Sequence, residues 1–266
     1  ENASVDVGED QITCSNSPYG ISIDSALNYN SLLWTTSGDG LFSNPNIENP
    51  TYTPGPLDIS NGNVLLTLTL SPLAPCTQDA SDSFVLSYEN AAIVDAGPDQ
   101  IICEDQAASL FGIAENQQSI QWSTAGDGTF SNQTSLTSDY IPGVNDLLTG
   151  SVTLTLEALG IPPCGSNSDE VTITFTSRPN LDIGSDLIAC QGETVTFNDV
   201  VVTQFDSLTW STSGSGTLLN ANTSSPTYIP SVNETGVIIF NLTVDPLLPC
   251  TGQVFGQKVI QYNQEA

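Results

Sequence analysis

The stretch WTTSGDGLF at residues 34–42 returns as WSTAGDGTF at residues 122–130 and as WSTSGSGTL at residues 210–218. The copies stand at a constant interval of 88 residues and contain the only three tryptophans of the chain. An active site is usually built once, whereas a structural unit can be copied many times. The repeated phrase therefore predicts a repeated structural unit and not a catalytic centre.

The repeat extends over the whole chain. Each tryptophan is followed after 18 residues by a tyrosine, at Tyr52, Tyr140 and Tyr228, and each copy begins on an acidic phrase of the form D-x-G-x-D. Copies of this length lie in the lower-middle range of autonomous domain sizes. We therefore predict three domains, at residues 1–91, 92–179 and 180–266.

The spacing of apolar residues is that of β-strands. Ahead of the second cysteine of each copy, apolar side chains alternate with other residues, as in a strand with one face in a core and one in water. These positions are Val64, Leu66, Leu68, Leu70, Val152, Leu154, Leu156, Ala158, Ile238, Phe240, Leu242 and Val244. About seven short strands in each copy predict an all-β chain of three immunoglobulin-like sandwiches, with a small closed barrel as the alternative.

The tryptophans are predicted core residues of these sandwiches. They are Trp34, Trp122 and Trp210. We interpret the two glycines after each tryptophan as providing positive φ angles for a tight hairpin turn. Asp39 and Asp127 stand between these glycines and could bind a ligand, but the third copy has Ser215 there, which favours a purely structural turn.

The connections between copies are short. Only ENAAIV separates the last strand of copy one from the acidic phrase of copy two, and SRPN separates copies two and three. Neither segment is a flexible Gly/Ser-rich tether, and the proline favours a semi-rigid junction. The domains are therefore predicted to lie end to end in a rod.

Two cysteines occur in each copy, and none forms a C-x-x-C pair. The chain has no histidine, which excludes a mixed Cys/His metal site. Loops of nearly equal length predict one disulfide within each repeat and an oxidising compartment, with buried free thiols as the alternative. The predicted pairs are Cys14 with Cys76, Cys103 with Cys164, and Cys190 with Cys250.

The charge balance limits the partners. The chain has 30 acidic residues against Arg178 and Lys258, a net charge of −28. Such a chain is not expected to bind nucleic acid, because no basic patch is available to release counterions. Anionic membrane surfaces are disfavoured for the same reason, and no apolar run is long enough to insert into a bilayer. We interpret the high negative charge as favouring solubility and repulsion between neighbouring molecules. Binding of divalent cations is the more specific alternative.

Catalysis is not expected. Without histidine there is no Ser-His pair, and no P-loop or dinucleotide-binding glycine fingerprint is present. No cofactor is required, but the D-x-G-x-D phrases could hold calcium at the repeat junctions. The candidate ligands are Asp6, Asp10, Asp95, Asp99, Asp182 and Asp186. The alternative, which we favour, is a turn in which aspartates cap backbone N–H groups.

The combination of DAGPDQIIC, W[ST]T.G.G, [TD]Y.P and GSVTLTLEALG…PC resembles the tandem repeats of giant surface proteins of the Bacteroidota. These are similar to polycystic-kidney-disease-type (PKD-like) and immunoglobulin-like modules, and they occur in SprB-like gliding-motility adhesins exported by the type 9 secretion system. The resemblance implies an extracellular, cell-surface chain attached to the outer membrane through regions outside this segment. It also implies O-glycans at Asp-Ser/Thr-aliphatic sites, which here are Ser25 and Ser207.

Together with the stiff junctions, this resemblance implies a structural stalk segment of a cell-surface adhesin or gliding filament, which extends an adhesive tip. The expected partners are adjacent repeats of the same long chain, with surface polysaccharide or the substratum as further candidates. A polysaccharide-binding module and a segment of a self-assembling filament are the alternatives. The chain lacks methionine and a secretion signal, so we expect a mature or excised piece of a longer protein.

Overall fold

The structure, a computed structural model, describes residues 1–264, and within them the regular secondary structure consists of β-strands and two six-residue helices. The three sequence copies adopt the same fold, and we call them repeats 1, 2 and 3. The predicted domain boundaries after residues 91 and 179 fall in the short segments that connect the last strand of one repeat to the first strand of the next.

Each repeat has nine strands within the described residues. Repeat 1 contains β1 (Ser4–Asp6), β2 (Gln11–Cys14), β3 (Tyr19–Gly20), β4 (Ser25–Leu27), β5 (Tyr29–Thr36), β6 (Leu41–Phe42), β7 (Thr51–Thr53), α1 (Pro56–Asn61), β8 (Asn63–Pro72) and β9 (Ala80–Glu89). Repeat 2 contains β10 (Ile93–Asp95), β11 (Gln100–Cys103), β12 (Ala108–Phe111), β13 (Ile113–Glu115), β14 (Gln117–Thr124), β15 (Thr129–Phe130), β16 (Thr137–Ile141), α2 (Val144–Thr149), β17 (Ser151–Gly160) and β18 (Ser166–Thr176). Repeat 3 contains β19 (Asn180–Asp182), β20 (Leu187–Cys190), β21 (Val195–Thr196), β22 (Val201–Thr203), β23 (Phe205–Thr212), β24 (Thr217–Leu219), β25 (Thr227–Ile229), β26 (Gly236–Pro246) and β27 (Val254–Asn263).

Two layers of strands form each repeat. In repeat 1 the larger sheet has the order β2-β9-β8-β5, and the opposite layer contains the β3-β7-β6 sheet and the β1-β4 pair. Strand β2 runs parallel to β9, whereas the other neighbours in this sheet are antiparallel. The larger sheets of repeats 2 and 3 have the equivalent orders β11-β18-β17-β14 and β20-β27-β26-β23. The predicted sandwich is confirmed, since the sheets remain separate and do not close into a barrel.

The strand directions define two ends of each repeat. Strand β9 ends at Glu89, where the chain leaves repeat 1, and β2 ends beside it, because Cys14 pairs with Glu89 in the parallel register. We call this end the C-terminal pole. The turn between β8 and β9 lies at the other end, the N-terminal pole, where Sγ of Cys76 lies 3.6 Å from the carbonyl oxygen of Glu1.

The cores fill the space between the two layers. All twelve alternating apolar positions predicted for the strands before the second cysteines are buried, with at most 7% of the residue surface exposed. The tryptophans are buried as well, and each indole Nε1 donates a hydrogen bond to a backbone carbonyl. The acceptors are Glu48 for Trp34, Ser135 for Trp122 and Thr223 for Trp210. Each indole is therefore buried without an unpaired donor.

The glycines after each tryptophan do not form the predicted hairpin. Strand β6, which follows β5, belongs to the opposite layer, so the glycine phrase crosses the sandwich. Neither Gly38 nor Gly40 has a positive φ angle. A Cβ on Gly40 would lie 2.4 Å from the hydroxyl of Tyr52, and one on Gly38 would lie 1.6 Å from a carboxylate oxygen of Asp58. The hairpin prediction was wrong because these glycines are required by lack of space and not by backbone angle.

A buried carboxylate causes this crowding. Asp58 is 1% exposed and accepts hydrogen bonds from the Tyr52 hydroxyl at 2.7 Å and from the amides of Gly40 and Gly55 at 3.1 and 3.0 Å. Asp39 in turn accepts the first amides of α1. Burial raises the pKa of Tyr52 to about 12, so the hydroxyl remains a donor at neutral pH. Repeat 2 has the same arrangement in Tyr140 and Asp146.

Repeat 3 keeps the arrangement with different residues. Glu234 accepts the hydroxyl of Tyr228 and the amide of Ser215, both at 2.6 Å. Ser215 replaces the aspartate that caps α1 and α2, and within the described residues repeat 3 has no helix at this position. Burial acts to raise the pKa of Glu234, but the hydrogen bonds from Tyr228 and from the amides of Ser215 and Ser231 outweigh it and hold that pKa below its usual value.

Candidate functional site

The cysteines lie at the poles of the repeats. The first cysteine of each repeat ends the short strand that runs parallel to the last strand, so it lies at the C-terminal pole. The second cysteine lies in the turn between the last two long strands, at the N-terminal pole. The first cysteines are Cys14, Cys103 and Cys190, and the second cysteines are Cys76, Cys164 and Cys250.

The disulfides join neighbouring repeats. Cys14 of repeat 1 is bonded to Cys164 of repeat 2, with Cα atoms 4.9 Å apart. Cys103 of repeat 2 is bonded to Cys250 of repeat 3, with Cα atoms 4.8 Å apart. We call these bonds the first and the second staple. Both repeat junctions are therefore crossed by the polypeptide and by a second covalent link.

The predicted pairing within each repeat is wrong. The ten residues of β9 span about 30 Å, which separates the two poles of a repeat. A disulfide requires Cα atoms within about 7 Å of each other, so Cys14 and Cys76 cannot meet. Sequence spacing did not reveal this, because in a regular repeat the first cysteine stands at a constant distance both from the second cysteine of its own copy and from that of the next copy.

Two cysteines have no disulfide partner within residues 1–264. Cys76 is half-buried at the N-terminal pole of repeat 1, and Cys190 is exposed at the C-terminal pole of repeat 3. They lie at the two outer poles of the three-repeat array. The sequence prediction assigned both of them to intra-repeat bonds, namely Cys14–Cys76 and Cys190–Cys250.

Neutral polar contacts support the first junction. The Sγ atom of Cys164 lies 3.4 Å from the carbonyl oxygen of Glu89. Asn167 Nδ2 donates to the carbonyl of Ala92 at 3.2 Å, and the amide of Ala91 donates to Ser15 Oγ at 3.3 Å. Ala92 is only 3% exposed. The connecting segment is thus fixed to both repeats, as expected for a joint with restricted bending.

A charged residue supports the second junction. The amide of Arg178 donates to Glu104 Oε1 at 2.9 Å, and its side chain pairs with Asp105 of repeat 2. Arg178 Nη1 donates to the carbonyl oxygen of Thr251 in repeat 3 at 2.8 Å. The Sγ atom of Cys250 lies 3.1 Å from the carbonyl oxygen of Thr176. One of the two basic residues of the chain therefore bridges two repeats beside a staple.

The electrostatics of this bridge are those of an exposed ion pair. Hydrogen bonds from Arg178 and Gln106 hold the pKa of Asp105 below its usual value. The side chains of Arg178 and Asp105 are 36% and 40% exposed, so salt screens their attraction. The pair fixes an orientation more than it adds stability. No signal in the sequence repeat could reveal it, since Arg178 occurs once.

The D-x-G-x-D phrases are the predicted calcium sites, and their carboxylates accept backbone amides of their own repeat. They follow the first short strand of each repeat, and their second aspartate accepts an amide from within the last strand. These bonds are Val85 to Asp10, Thr172 to Asp99 and Val259 to Asp186, each 2.8 Å long. The first aspartate accepts the amide of the glycine two residues later, as for Gly8 and Asp6 at 3.1 Å. The carboxylates thus act as backbone caps at a bend.

The other candidate positions are metal ligands and glycosylated serines. Within residues 1–264, no three acidic or cysteine side chains are close enough together to share a metal ion, and no helix is long and apolar enough to cross a membrane. Ser25 is half-buried in β4, and Ser207 is exposed in β23, where its hydroxyl donates to Asp245 at 2.8 Å. Calcium and glycan binding stay predictions.

The buried carboxylates were missed by sequence reasoning. Each follows its repeated tyrosine by six residues, as in Tyr52 and Asp58 or Tyr228 and Glu234. This constant spacing is the signal that would have identified them. Their role is structural, since the hydroxyl and amide partners leave them fully engaged inside the repeat.

The fold resembles that of solved tandem arrays. The N-terminal eight immunoglobulin domains of the Down Syndrome Cell Adhesion Molecule match 99% of this chain with a TM-score of 0.63 and 10% identity, and the match covers 37% of that chain. The repeats are immunoglobulin-like sandwiches. An I-band fragment of titin matches 100% of this chain and 99% of its own length, with a TM-score of 0.49 and 12% identity. Four cadherin domains of protocadherin gamma B7 match 99% of this chain and 76% of theirs, with a TM-score of 0.45 and 14% identity. No family model matches the sequence. A comparison with curated proteins finds no match to the sequence.

Proposed function

We propose that this chain is a structural stalk segment of a large bacterial cell-surface adhesin or gliding-motility filament. In this role the immunoglobulin-like repeats hold an adhesive tip away from the cell and transmit tension to it. The observation that carries the proposal is the staple at both junctions. A chain that only needed to connect independent binding domains would not require a second covalent link at each joint.

The staples change how tension passes through the chain. The shortest covalent path runs from residue 1 to Cys14, across to Cys164, back to Cys103, and across to Cys250. Residues 15–102 and 165–249 then lie in closed loops that carry no tension even if the repeats unfold. The fully extended path has about 90 residues and a length of about 300 Å, against about 900 Å for the open chain. The staples therefore limit the length of the fully stretched chain to about a third of that of the open chain.

The surroundings of a cell surface suit this chemistry. Disulfides persist in oxidising compartments, which supports an extracellular location. The two basic residues leave almost nothing for trypsin-like proteases to cleave, and Pro179 follows one of them. The net charge of −28 opposes lateral association of neighbouring rods. Attachment to the outer membrane through other regions, and export by the type 9 system, rest on the resemblance to Bacteroidota surface repeats.

Polysaccharide binding is the weaker alternative. Sugar sites commonly present exposed aromatic rings, whereas Trp34, Trp122 and Trp210 are at most 3% exposed. A shallow concavity lined by Tyr29, Asn46 and Glu48 has its tyrosine hydroxyl already donated to Glu48 at 2.6 Å. We therefore prefer a mechanical role for the chain over polysaccharide binding.

Calcium and glycans enter the proposal as separate additions. Calcium at the D-x-G-x-D phrases would raise the melting temperature, and a chelator that leaves the transition unchanged would remove calcium from the account. Glycans on Ser25 or Ser207 would give an intact mass above that of the sequence. Neither addition is needed for the stalk.

Immunogold electron microscopy of the native surface tests the proposed function. An antibody against the three repeats should label the shaft of a surface fibre, between the cell and the tip. Label confined to the distal tip would instead support a binding module. Label spread over the cell without any fibre would contradict the stalk.

A further inference from the structure

The unpaired cysteines lie in the same local structure as the paired ones. The amide of Cys76 donates to the carbonyl of Leu73 at 3.0 Å, and the amides of Cys164 and Cys250 donate to the equivalent carbonyls at 2.9 and 3.0 Å. The amide of Gln191, directly after Cys190, donates to the carbonyl of the last strand at 2.9 Å. The residues after Cys14 and Cys103 do the same at 2.8 and 3.0 Å. Both outer poles therefore have the backbone form of a stapled pole.

The cysteines at the equivalent positions of the other repeats form disulfides in this structure. This second observation indicates that Cys76 and Cys190 also have disulfide partners. At each junction a C-terminal-pole cysteine is joined to an N-terminal-pole cysteine, and the two staples are built alike. The Sγ atom of Cys76 lies 3.6 Å from the carbonyl of Glu1, as Cys164 lies 3.4 Å from Glu89 and Cys250 lies 3.1 Å from Thr176. Cys76 thus lies beside the chain segment that enters its pole, as the two bonded cysteines do.

The residue after each first cysteine adds a matching polar group. Ser15 accepts the amide of Ala91 from the connecting segment, and Glu104 accepts the amide of Arg178. Gln191 occupies the equivalent position after Cys190 and carries a side-chain oxygen acceptor. The C-terminal pole of repeat 3 therefore offers the sulfur and the acceptor that the two closed junctions use.

We propose that Cys190 and Cys76 are complementary halves of a further staple, which joins the C-terminal pole of repeat 3 to the N-terminal pole of repeat 1 in a second copy of this three-repeat unit. The partner is an immunoglobulin-like repeat with a cysteine in the turn between its last two long strands. This inference rests on the proposed stalk function and deepens it, because it makes the stapled array continuous beyond both poles of this segment.

Formation of this bond requires an oxidant, and a low-molecular-weight disulfide such as oxidised glutathione suffices. The Cys190 thiolate attacks the glutathione disulfide, which forms a mixed disulfide and releases one glutathione thiolate. The Cys76 thiolate of the second copy then attacks the Cys190 sulfur and releases the second glutathione. Two protein thiols are oxidised, two glutathione thiols are produced, and these take up the two protons.

The test uses two single variants of the whole chain that keep both existing staples. Cys76→Ser retains only the Cys190 half, and Cys190→Ser retains only the Cys76 half. Each variant, and a mixture of the two, is incubated with reduced and oxidised glutathione at about 1 M salt, where the screening length of about 3 Å suppresses repulsion between the acidic poles. Non-reducing electrophoresis and mass spectrometry then quantify the dimers.

We expect the mixture to form about tenfold more dimer than either variant alone, which corresponds to about 1.4 kcal/mol of preference for the head-to-tail contact. The unmodified chain should form a ladder of oligomers linked Cys190 to Cys76. Equal dimer yields from each variant alone and from the mixture would show random thiol oxidation and overturn the proposal. So would a failure of the mixture to dimerise. Neither result would affect fibre labelling by microscopy, so failure of this inference can be distinguished from failure of the stalk proposal.

Discussion

The two repeat junctions are joined by the same covalent bond and supported by different non-covalent contacts. At the first junction, Asn167 and Ser15 bind the connecting segment through neutral groups. At the second, Arg178 bridges Asp105 and the carbonyl of Thr251. Both junctions share the staple and one amide of the connecting segment that is accepted by the residue after the first cysteine, and the other contacts differ. The comparison indicates that the disulfide defines the joint, whereas the polar contacts adjust each joint to its local sequence.

Reduction of both disulfides breaks the covalent link that the two junctions share. We expect this change to have the largest effect, which is on the length of the stretched chain. Pulled from its ends, the oxidised chain should extend to about 300 Å and the reduced chain to about 900 Å, because the closed loops then open. Single-molecule force spectroscopy measures this contour length. The double variant Cys76→Ser/Cys190→Ser is the control and should behave like the oxidised chain. Equal lengths before and after reduction would show that no staple carries tension.

The second largest effect is expected from a substitution that destabilises one repeat and leaves both junctions intact. Asp146→Ala in repeat 2 would remove one acceptor from the Tyr140 hydroxyl and from three partly buried amides. We expect a loss of about 3 kcal/mol in the free energy of unfolding, measured by denaturant titration. Glu157→Ala, on the exposed face of β17, is the matched control and should change stability by less than about 0.5 kcal/mol. A similar effect of both substitutions would remove the buried network from the account.

Alkaline pH should disrupt a feature that all three repeats share. Burial raises the pKa of Tyr52, Tyr140 and Tyr228 to about 12 each, from the usual 10. Because the folded-state pKa is raised, the stabilisation is complete below pH 10 and is lost as the pH rises through about 12. Tyrosinate absorbance and circular dichroism should therefore change together in this range. Ionisation of all seven tyrosines near pH 10 in the folded protein would contradict this.

The smallest effect is expected at the contact that differs between the junctions. Arg178→Gln should lower the melting temperature by no more than a few degrees, and salt should abolish the difference. The pKa of Asp105 lies below its usual value. The ion pair therefore stabilises the folded state fully at pH values above the usual pKa of an aspartate, and this stabilisation is lost as the pH falls through the lowered pKa. Calorimetry at low and high salt provides the measurement. A large effect that persists in salt would mean that the ion pair, and not the staple, dominates the second junction.

The fold could be predicted from the sequence because burial follows a local period. Positions such as Leu66 and Leu154 alternate with polar neighbours, and their spacing alone assigns them to a core. The buried indoles followed from the same reasoning. Local patterns determine which face of a strand is buried, and this is the information that a single sequence contains.

The joints could not be predicted, because they depend on where strand ends lie in space. The sequence spacing of Cys14 and Cys76 is compatible with a disulfide within the repeat. Only the parallel pairing of β2 with β9 shows that these two cysteines lie at opposite poles. The role of Gly38 was also misjudged, since the carboxylate of Asp58 that occupies its Cβ position comes from a distant segment. Contacts between segments far apart in sequence leave no period to detect.

Disulfide mapping by mass spectrometry tests the central claim most directly. The oxidised chain is alkylated without reduction, digested with a protease that cleaves at acidic residues, and analysed for linked peptides. In the monomer we expect Cys14 linked to Cys164 and Cys103 linked to Cys250, with alkylated thiols at Cys76 and Cys190, whereas oligomers should add a link from Cys190 to Cys76. Peptides that link Cys14 to Cys76, Cys103 to Cys164 and Cys190 to Cys250, with no alkylated thiol, would contradict the stapled rod.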